Sequence, residues 1–249
     1  MIGFFDSGVG GLAVLREVTM LLPSADIVYL ADQGNAPYGQ RSIAQVREFS
    51  EQATERLVDR GADTVVIACN TASAAALQHL RDQHSEIPFV GMEPAVKPAV
   101  AATRSGVVGV LATPTTFAAS VLGDLVGRFS EGIKVIAHPC PGWAEAVEDG
   151  WDGSGPEIAA HLAPLIDQGV DTLVIACTHY SFLAGAISAA APGVTVIDPA
   201  GAVARQVVRV AGDSPGSGDA TYLTTGDPAR FASQVERLLG ATIDVTAVA

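Results

Sequence analysis

The sequence is short of cations, of cysteine and of long apolar runs, and each shortage narrows its function. Lys and Arg number 14 against 27 Asp and Glu, for a formal net charge of −13. That balance argues against nucleic acid or an anionic membrane as the main partner, because phosphate binding needs clustered Lys and Arg. A small acidic ligand would have to be met largely by backbone amides. No apolar run approaches the roughly 18 residues of a membrane span. No basic segment leads into an apolar one at the N-terminus, so no signal peptide is expected. Three cysteines, with no CxxC and no His-rich zinc spacing, make neither a disulfide framework nor a metal site. Free thiols in a reducing cytoplasm are the expectation.

What is present is apolar and ordered. Hydrophobic residues make up 49% of the 249 and charged residues 16%, which suits a packed globule of one large or two smaller α/β domains. One stretch occurs twice. Residues 63–73 read DTVVIACNTAS and residues 171–181 read DTLVIACTHYS, and Gly61 and Gly169 precede the copies by the same two positions. Two of the three cysteines, Cys69 and Cys177, thus stand where an apolar strand runs into small polar residues. Cys140 reads as an inert core thiol.

Strands and helices alternate around these copies. Residues 1–5 form an apolar strand, DSGVGG at 6–11 a turn, and Leu12, Val14, Leu15, Val18 and Leu22 recur at helical spacing. The turn matches neither the P-loop nor GxGxxG and reads equally as a tight structural turn or an anion-binding loop. Further strands are expected at 27–31, 88–92, 107–111, 194–197 and 222–224, and helices over 42–60 and 201–211. Asp227-Pro228 marks a helix start, ending before Gly240, after a turn-rich segment at 212–218. Asp6 lies 63 residues before Cys69 and Thr113 lies 64 before Cys177, while Glu93-Pro94 is mirrored by Asp198-Pro199. The chain therefore reads as a duplicated α/β unit: two similar, pseudo-symmetric domains with mainly parallel sheets, residues 1–94 plus 205–249 and residues 95–204. Ligands bind beyond the carboxyl ends of parallel strands, so the active site is expected in the cleft between the domains.

Two opposed thiols suit a nearly symmetric reaction. A thiol with a reference pKa of roughly 8.5 serves as acid or, ionised, as base, and a following helix N-terminus favours the thiolate. Taking a proton from one face of a carbon and returning one to the other inverts it, as amino-acid racemisation requires. Lys97 and Lys134 are the only lysines, and neither sits in a setting that suggests pyridoxal phosphate.

DSGVGG, PYG, CNTAS, EPAVKPA, CTHY and TTGDPARF, in this order from about residue 3 to 240, resemble the cofactor-independent glutamate racemases of the wider aspartate/glutamate racemase group. The resemblance implies two catalytic bases, Cys69 acting on the D-enantiomer and Cys177 on the L-enantiomer. Asp6 would assist Cys69, and His179 would assist Cys177. The auxiliary acid after Cys140 would be Glu148, with Glu145 as its rival. Substrate contacts would come from Asp6, Ser7, Tyr38, Gly39, Asn70, Thr71, Thr113, Thr116, Thr178 and His179. No cofactor, no metal and a homodimer are implied, with D-glutamate supplied for peptidoglycan. The chain departs from the family pattern at Ala176 and Ser181 (usually Gly and Pro), at Gly142-Trp143, and in the glycine-rich segment 150–156.

Other readings are an aspartate or broad-range racemase, a non-catalytic binding protein that kept the fold, and a nucleic-acid or gyrase-binding regulator. CTHY favours glutamate, since aspartate relatives more often carry an acid after the second CT. The retained Cys69, Cys177, Asp6 and His179 argue against loss of activity, and the net charge argues against direct DNA binding.

Overall fold

Eight strand pairings, all parallel, build two sheets from the described residues. The structure, a computed structural model, describes residues 1–118, 123, 127, 132–212 and 215–248. The first sheet is assembled from β1 (Ile2–Asp6), β2 (Ile27–Ala31), β3 (Thr64–Ile67) and β4 (Phe89–Gly91). β9 (Ala220–Thr224) and β10 (Val245–Ala247) from the C-terminal tail extend it beyond β2, giving the order β10-β9-β2-β1-β3-β4. The second sheet, β6-β5-β7-β8, uses β5 (Val107–Ala112), β6 (Lys134–Pro139), β7 (Thr172–Ile175) and β8 (Thr195–Ile197). Each sheet therefore contains the same winding: second strand, first, third, fourth. The duplication read from one repeated stretch extends to the topology.

Helices cover both faces of each sheet, which is why β1, β3 and β7 are buried along their whole length and mainly apolar. Adjacent residues of β1 point to opposite faces. Phe4 packs with α1 (Leu12–Leu21), α9 (Ala200–Ala211) and α10 (Pro228–Leu239), whereas Phe5 packs with α2 (Ile43–Val58) and α3 (Asn70–Gln83). In the second unit, α6 (Trp143–Glu148), α7 (Glu157–Ile166) and α8 (Ala184–Ala190) cover one face and α4 (Val96–Ala102) the other. α5 (Pro114–Ala118) follows β5.

The residues that open each repeat have structural work. Gly61 (φ 89°) and Gly169 (φ 82°) end α2 and α7 in a left-handed conformation that a side chain would strain. Asp63 binds the N-terminal ammonium at 3.0 Å. Its counterpart Asp171 gathers the chain entering β5, accepting from Thr103 Oγ1 (2.6 Å) and from the Arg104 and Ser105 amides (2.7 and 2.8 Å). Each aspartate thus anchors the start of its own central strand.

Two strands escape the sequence pattern, β6 and β10. Both lie at sheet edges and are partly exposed, so their apolar runs are short. The start of α10 follows the sequence signal: Asp227 caps the Ala229 and Arg230 amides, Pro228 stands in the first turn, and Gly240 closes the helix in a left-handed conformation. Residues 213 and 214 of the expected turn at 212–218 lie outside the described residues.

Candidate active site

Both cysteines sit two residues past a buried strand end. Phe5 pairs with Ile67 in the first sheet, and Leu111 pairs with Ile175 in the second. This register makes Cys69 equivalent to Cys177 and corrects the spacing-based match. Asp6 answers to Ala112, and Ser7 answers to Thr113. The second unit therefore has no acid at the place where the first has Asp6.

Cys69 is the N-cap of α3, where its sulfur accepts from the Ala72 amide (3.5 Å) and donates to Ser7 Oγ (3.8 Å). The helix-terminal amide does not make it a thiolate. Burial, reinforced by the negative charge of Asp6, pushes the thiol up to about 12 against that amide's pull. Cys69 holds its proton at neutral pH, so the expected thiolate is corrected to a thiol.

Cys177 begins the 3-10 turn Thr178–Leu183. Its sulfur meets His179 Nδ1 at 3.9 Å, and His179 Nε2 meets Glu148 Oε1 at 2.9 Å. Burial works against the imidazolium, but the hydrogen bonds to Cys177 and Glu148 outweigh it and hold His179 well above its ordinary value. Burial likewise opposes the Glu148 carboxylate, and His179, the Val9 amide and Gln33 overcome it and keep the group ionised. The result is a carboxylate–imidazolium–sulfur relay. Glu148 provides the acid at this histidine; Glu145 instead accepts from Gln40 Nε2 at 3.1 Å.

The glycine-rich turn 6–11 serves the protein's own carboxylates. The Gly8 amide donates to Asp6 Oδ1 (2.7 Å) and the Val9 amide to Glu148 Oε1 (2.8 Å). A Cβ on Gly8 would lie 1.9 Å from Glu148 Oε1, and one on Gly10 would lie 2.6 Å from His179 Nδ1. Glycine is required here for close approach of the two units.

A cavity of about 610 Å³ lies between the units and is lined by both cysteines, a size suited to a small metabolite. Of the expected contacts, Ser7, Tyr38, Gly39, Asn70, Thr71, Thr113, Thr178, His179 and Glu148 line it. Asp6 and Thr116 stand behind this wall. Asp6 is wholly buried and is raised to about 6 by that burial, partly offset by His179 and the Gly8 amide. One Asp6 oxygen accepts from Gly8, and the other accepts from Thr178 Oγ1 across the cleft (3.1 Å). Asp6 therefore reaches Cys69 through its charge while its hydrogen bonds go elsewhere. Reciprocally, Thr71 Oγ1 lies 3.3 Å from both Thr113 Oγ1 and Thr116 Oγ1. The residue or two after each cysteine is thus held by the opposite unit. The Tyr38 hydroxyl is committed to Asp32 (2.6 Å), so its ring forms a wall.

Asn70 carries the clearest sign of a missing ligand. It is 3% exposed, and neither its Nδ2 nor its Oδ1 has a partner among the described residues. A buried amide left unpaired costs on the order of 1–3 kcal/mol, and this one lines the cavity. A polar ligand would satisfy both atoms.

The departures from the family pattern leave the thiols in place. Ala176 is buried against Val174 and Val110, and Ser181 Oγ donates to Asp198 Oδ1 at 3.0 Å. Trp143 packs edge-on to Tyr180 and Trp151, beneath the cavity floor at Cys140. Sequence reasoning missed Gln33 and Gln234, which both hold Glu148. Gln234 left a trace: it interrupts the buried stripe Phe231–Val235 of α10.

Residues 11–207 match the model of the Asp/Glu/hydantoin racemase family. The chain belongs to that family. Among its racemase relatives, the glutamate racemase of Roseiflexus sp. is 49% identical, with 95% of this chain and 91% of that protein covered. The fold agrees equally well. A glutamate racemase isoform of Bacillus anthracis superposes with a TM-score of 0.89 at 32% identity, covering 100% of this chain and 97% of the other. The Escherichia coli glutamate racemase, in complex with L-glutamate and the activator UDP-MurNAc-Ala, superposes at 0.89 with 30% identity, covering 100% and 98%. Among the described residues, no helix of this racemase-family chain is long and apolar enough to cross a membrane.

Proposed function

We propose that this protein interconverts L- and D-glutamate by proton transfer between the α-carbon and two cysteines. The observation that carries this reading is the pair of equivalent strand-end cysteines lining one cavity with unlike partners. In the L-to-D direction, Cys177 acts as a thiolate and takes the α-proton, breaking Cα–H and forming S–H, with the His179 imidazolium and Glu148 balancing the sulfur's charge before transfer. The Cys69 thiol then gives its proton to the opposite face. The reverse direction exchanges the roles. Asp6, close enough to influence Cys69 electrostatically, sets how firmly that thiol keeps its proton. The substrate is held by Asn70, Ser7 and Gly39 with the threonines Thr71, Thr113, Thr116 and Thr178, while Tyr38 shapes the wall. Amides and hydroxyls of this kind hold carboxylates where cations are few.

The same reading places the enzyme in the cytoplasm, supplying D-glutamate for bacterial peptidoglycan, as a homodimer of two-domain chains divided as 1–94 plus 205–249 and 95–204. The decisive assay incubates the protein with L-glutamate and no added cofactor and follows ellipticity. The signal should decay to zero as the enantiomers equalise, and a constant signal overturns the proposal. Aspartate run in parallel should turn over more slowly; faster aspartate turnover would transfer the assignment to aspartate.

A further inference from the structure

The two thiols differ in where their support comes from. Cys69 is held by Ser7 and the Ala72 amide, both from its own unit. The Cys177 relay is held from across the cleft. Glu148 Oε1 accepts from His179 and from the Val9 amide, while Oε2 accepts from Gln33 Nε2 (3.0 Å) and Gln234 Nε2 (2.8 Å). Val9, Gln33 and Gln234 all belong to the unit built on the first sheet, whereas Glu148 and His179 belong to the other.

The two glutamines also fix each other. Gln33 Nε2 donates to Gln234 Oε1 at 2.7 Å, and Gln234 Nε2 donates to the Glu148 main-chain oxygen at 2.9 Å. Arg237, one turn along α10, donates to the same oxygen (3.2 Å) and to that of Val147 (2.8 Å). The end of α6 is thereby clamped onto α10. Gln234 is 2% exposed, and a glutamine is buried at that depth only when its amide is fully used.

We infer that Gln234 and Gln33 are positioning residues that complete the Glu148–His179–Cys177 relay only when the two units are closed on each other. Opening the cleft would leave the direct hydrogen bonds of the Cys69 sulfur, to Ser7 and Ala72, intact and release the Glu148 carboxylate, so closure bears more directly on proton transfer at Cys177 than at Cys69. This inference rests on the racemase reading above.

The test uses substrate deuterated at Cα. The equilibrium constant of racemisation is one, so kcat/KM must fall equally in both directions whichever thiol is impaired. Isotope effects separate the two sides. Gln234→Leu keeps the volume and removes the hydrogen bonds to Glu148, and we expect kcat to fall about tenfold, with KM nearly unchanged. The isotope effect should rise with 2-deuterio-L-glutamate and shrink toward one with 2-deuterio-D-glutamate. Gln33→Leu, on a half-exposed loop, should shift both in the same direction by less and supplies the test if Gln234→Leu does not fold. Variants that fold and racemise with the wild-type pair of isotope effects overturn the positioning role. Wild-type protein that does not racemise at all overturns instead the reading on which it rests.

Discussion

The two cysteine sites occupy the same place in two copies of one fold and are chemically unlike. At the first, a regular helix follows the cysteine, and a buried carboxylate nearby stiffens the thiol's hold on its proton. At the second, a 3-10 turn follows, which brings His179 back onto the sulfur and Glu148 onto the histidine. The difference originates in single positions: Asn70 and Thr71 follow the first cysteine where Thr178 and His179 follow the second. Duplication placed two thiols around one cavity, and divergence gave the first a buried carboxylate nearby and the second a histidine–carboxylate pair.

The largest expected effect breaks the pair. Cys69→Ser and Cys177→Ser should each reduce racemisation by roughly 10³-fold or more, measured by ellipticity with either enantiomer. If one variant kept wild-type turnover, the two sites would not share one reaction.

A smaller effect concerns the acid that only the first unit has. The Asp6 carboxyl is raised, chiefly by burial, from its ordinary 3.8 to about 6. Between those values the native state binds more protons than the unfolded chain. This group's contribution to stability therefore falls as the pH rises through that window, and it is fully adverse above about 6. Asp6→Asn should accordingly raise stability at neutral pH by on the order of 1–3 kcal/mol while lowering racemisation. The gain should fade below about pH 4, where both side chains are neutral. Thermal midpoints of the two proteins across pH, beside their rates, check it; a variant less stable at neutral pH would contradict the burial argument.

The smallest sharpens the comparison away from the chemistry. Asp171→Ala removes three hydrogen bonds that gather residues 103–105, whereas Asp63→Ala removes one exposed contact to the N-terminus. The first should cost about 1–2 kcal/mol and the second at most about 0.5, by denaturant midpoint. Equal costs would mean that the two anchors are equivalent after all.

Much of this was legible in the residues, and the limits were physical. The repeated DT(V/L)VIAC announced both the duplication and the facing thiols, because strands buried on both faces must be continuously apolar. The edge strand KVIAHP carries no such mark. Spacing alone matched Asp6 with Thr113, since the segments between equivalent positions differ in length; strand register makes Asp6 equivalent to Ala112. The helix N-terminus after Cys69 suggested a thiolate, and burial beside Asp6 reversed the sign. Glu148 could not be told from Glu145 by pattern, because what distinguishes them is which one the Val9 amide, Gln33 and Gln234 reach in three dimensions.

The central claim is that two thiols act on opposite faces of one α-carbon, and a single NMR time course in D2O tests it most directly. With either enantiomer of glutamate, the product formed in the earliest turnovers should carry deuterium at Cα, while recovered substrate keeps its α-proton. Early product that retained the substrate's own proton would show one group working both faces and would contradict the account.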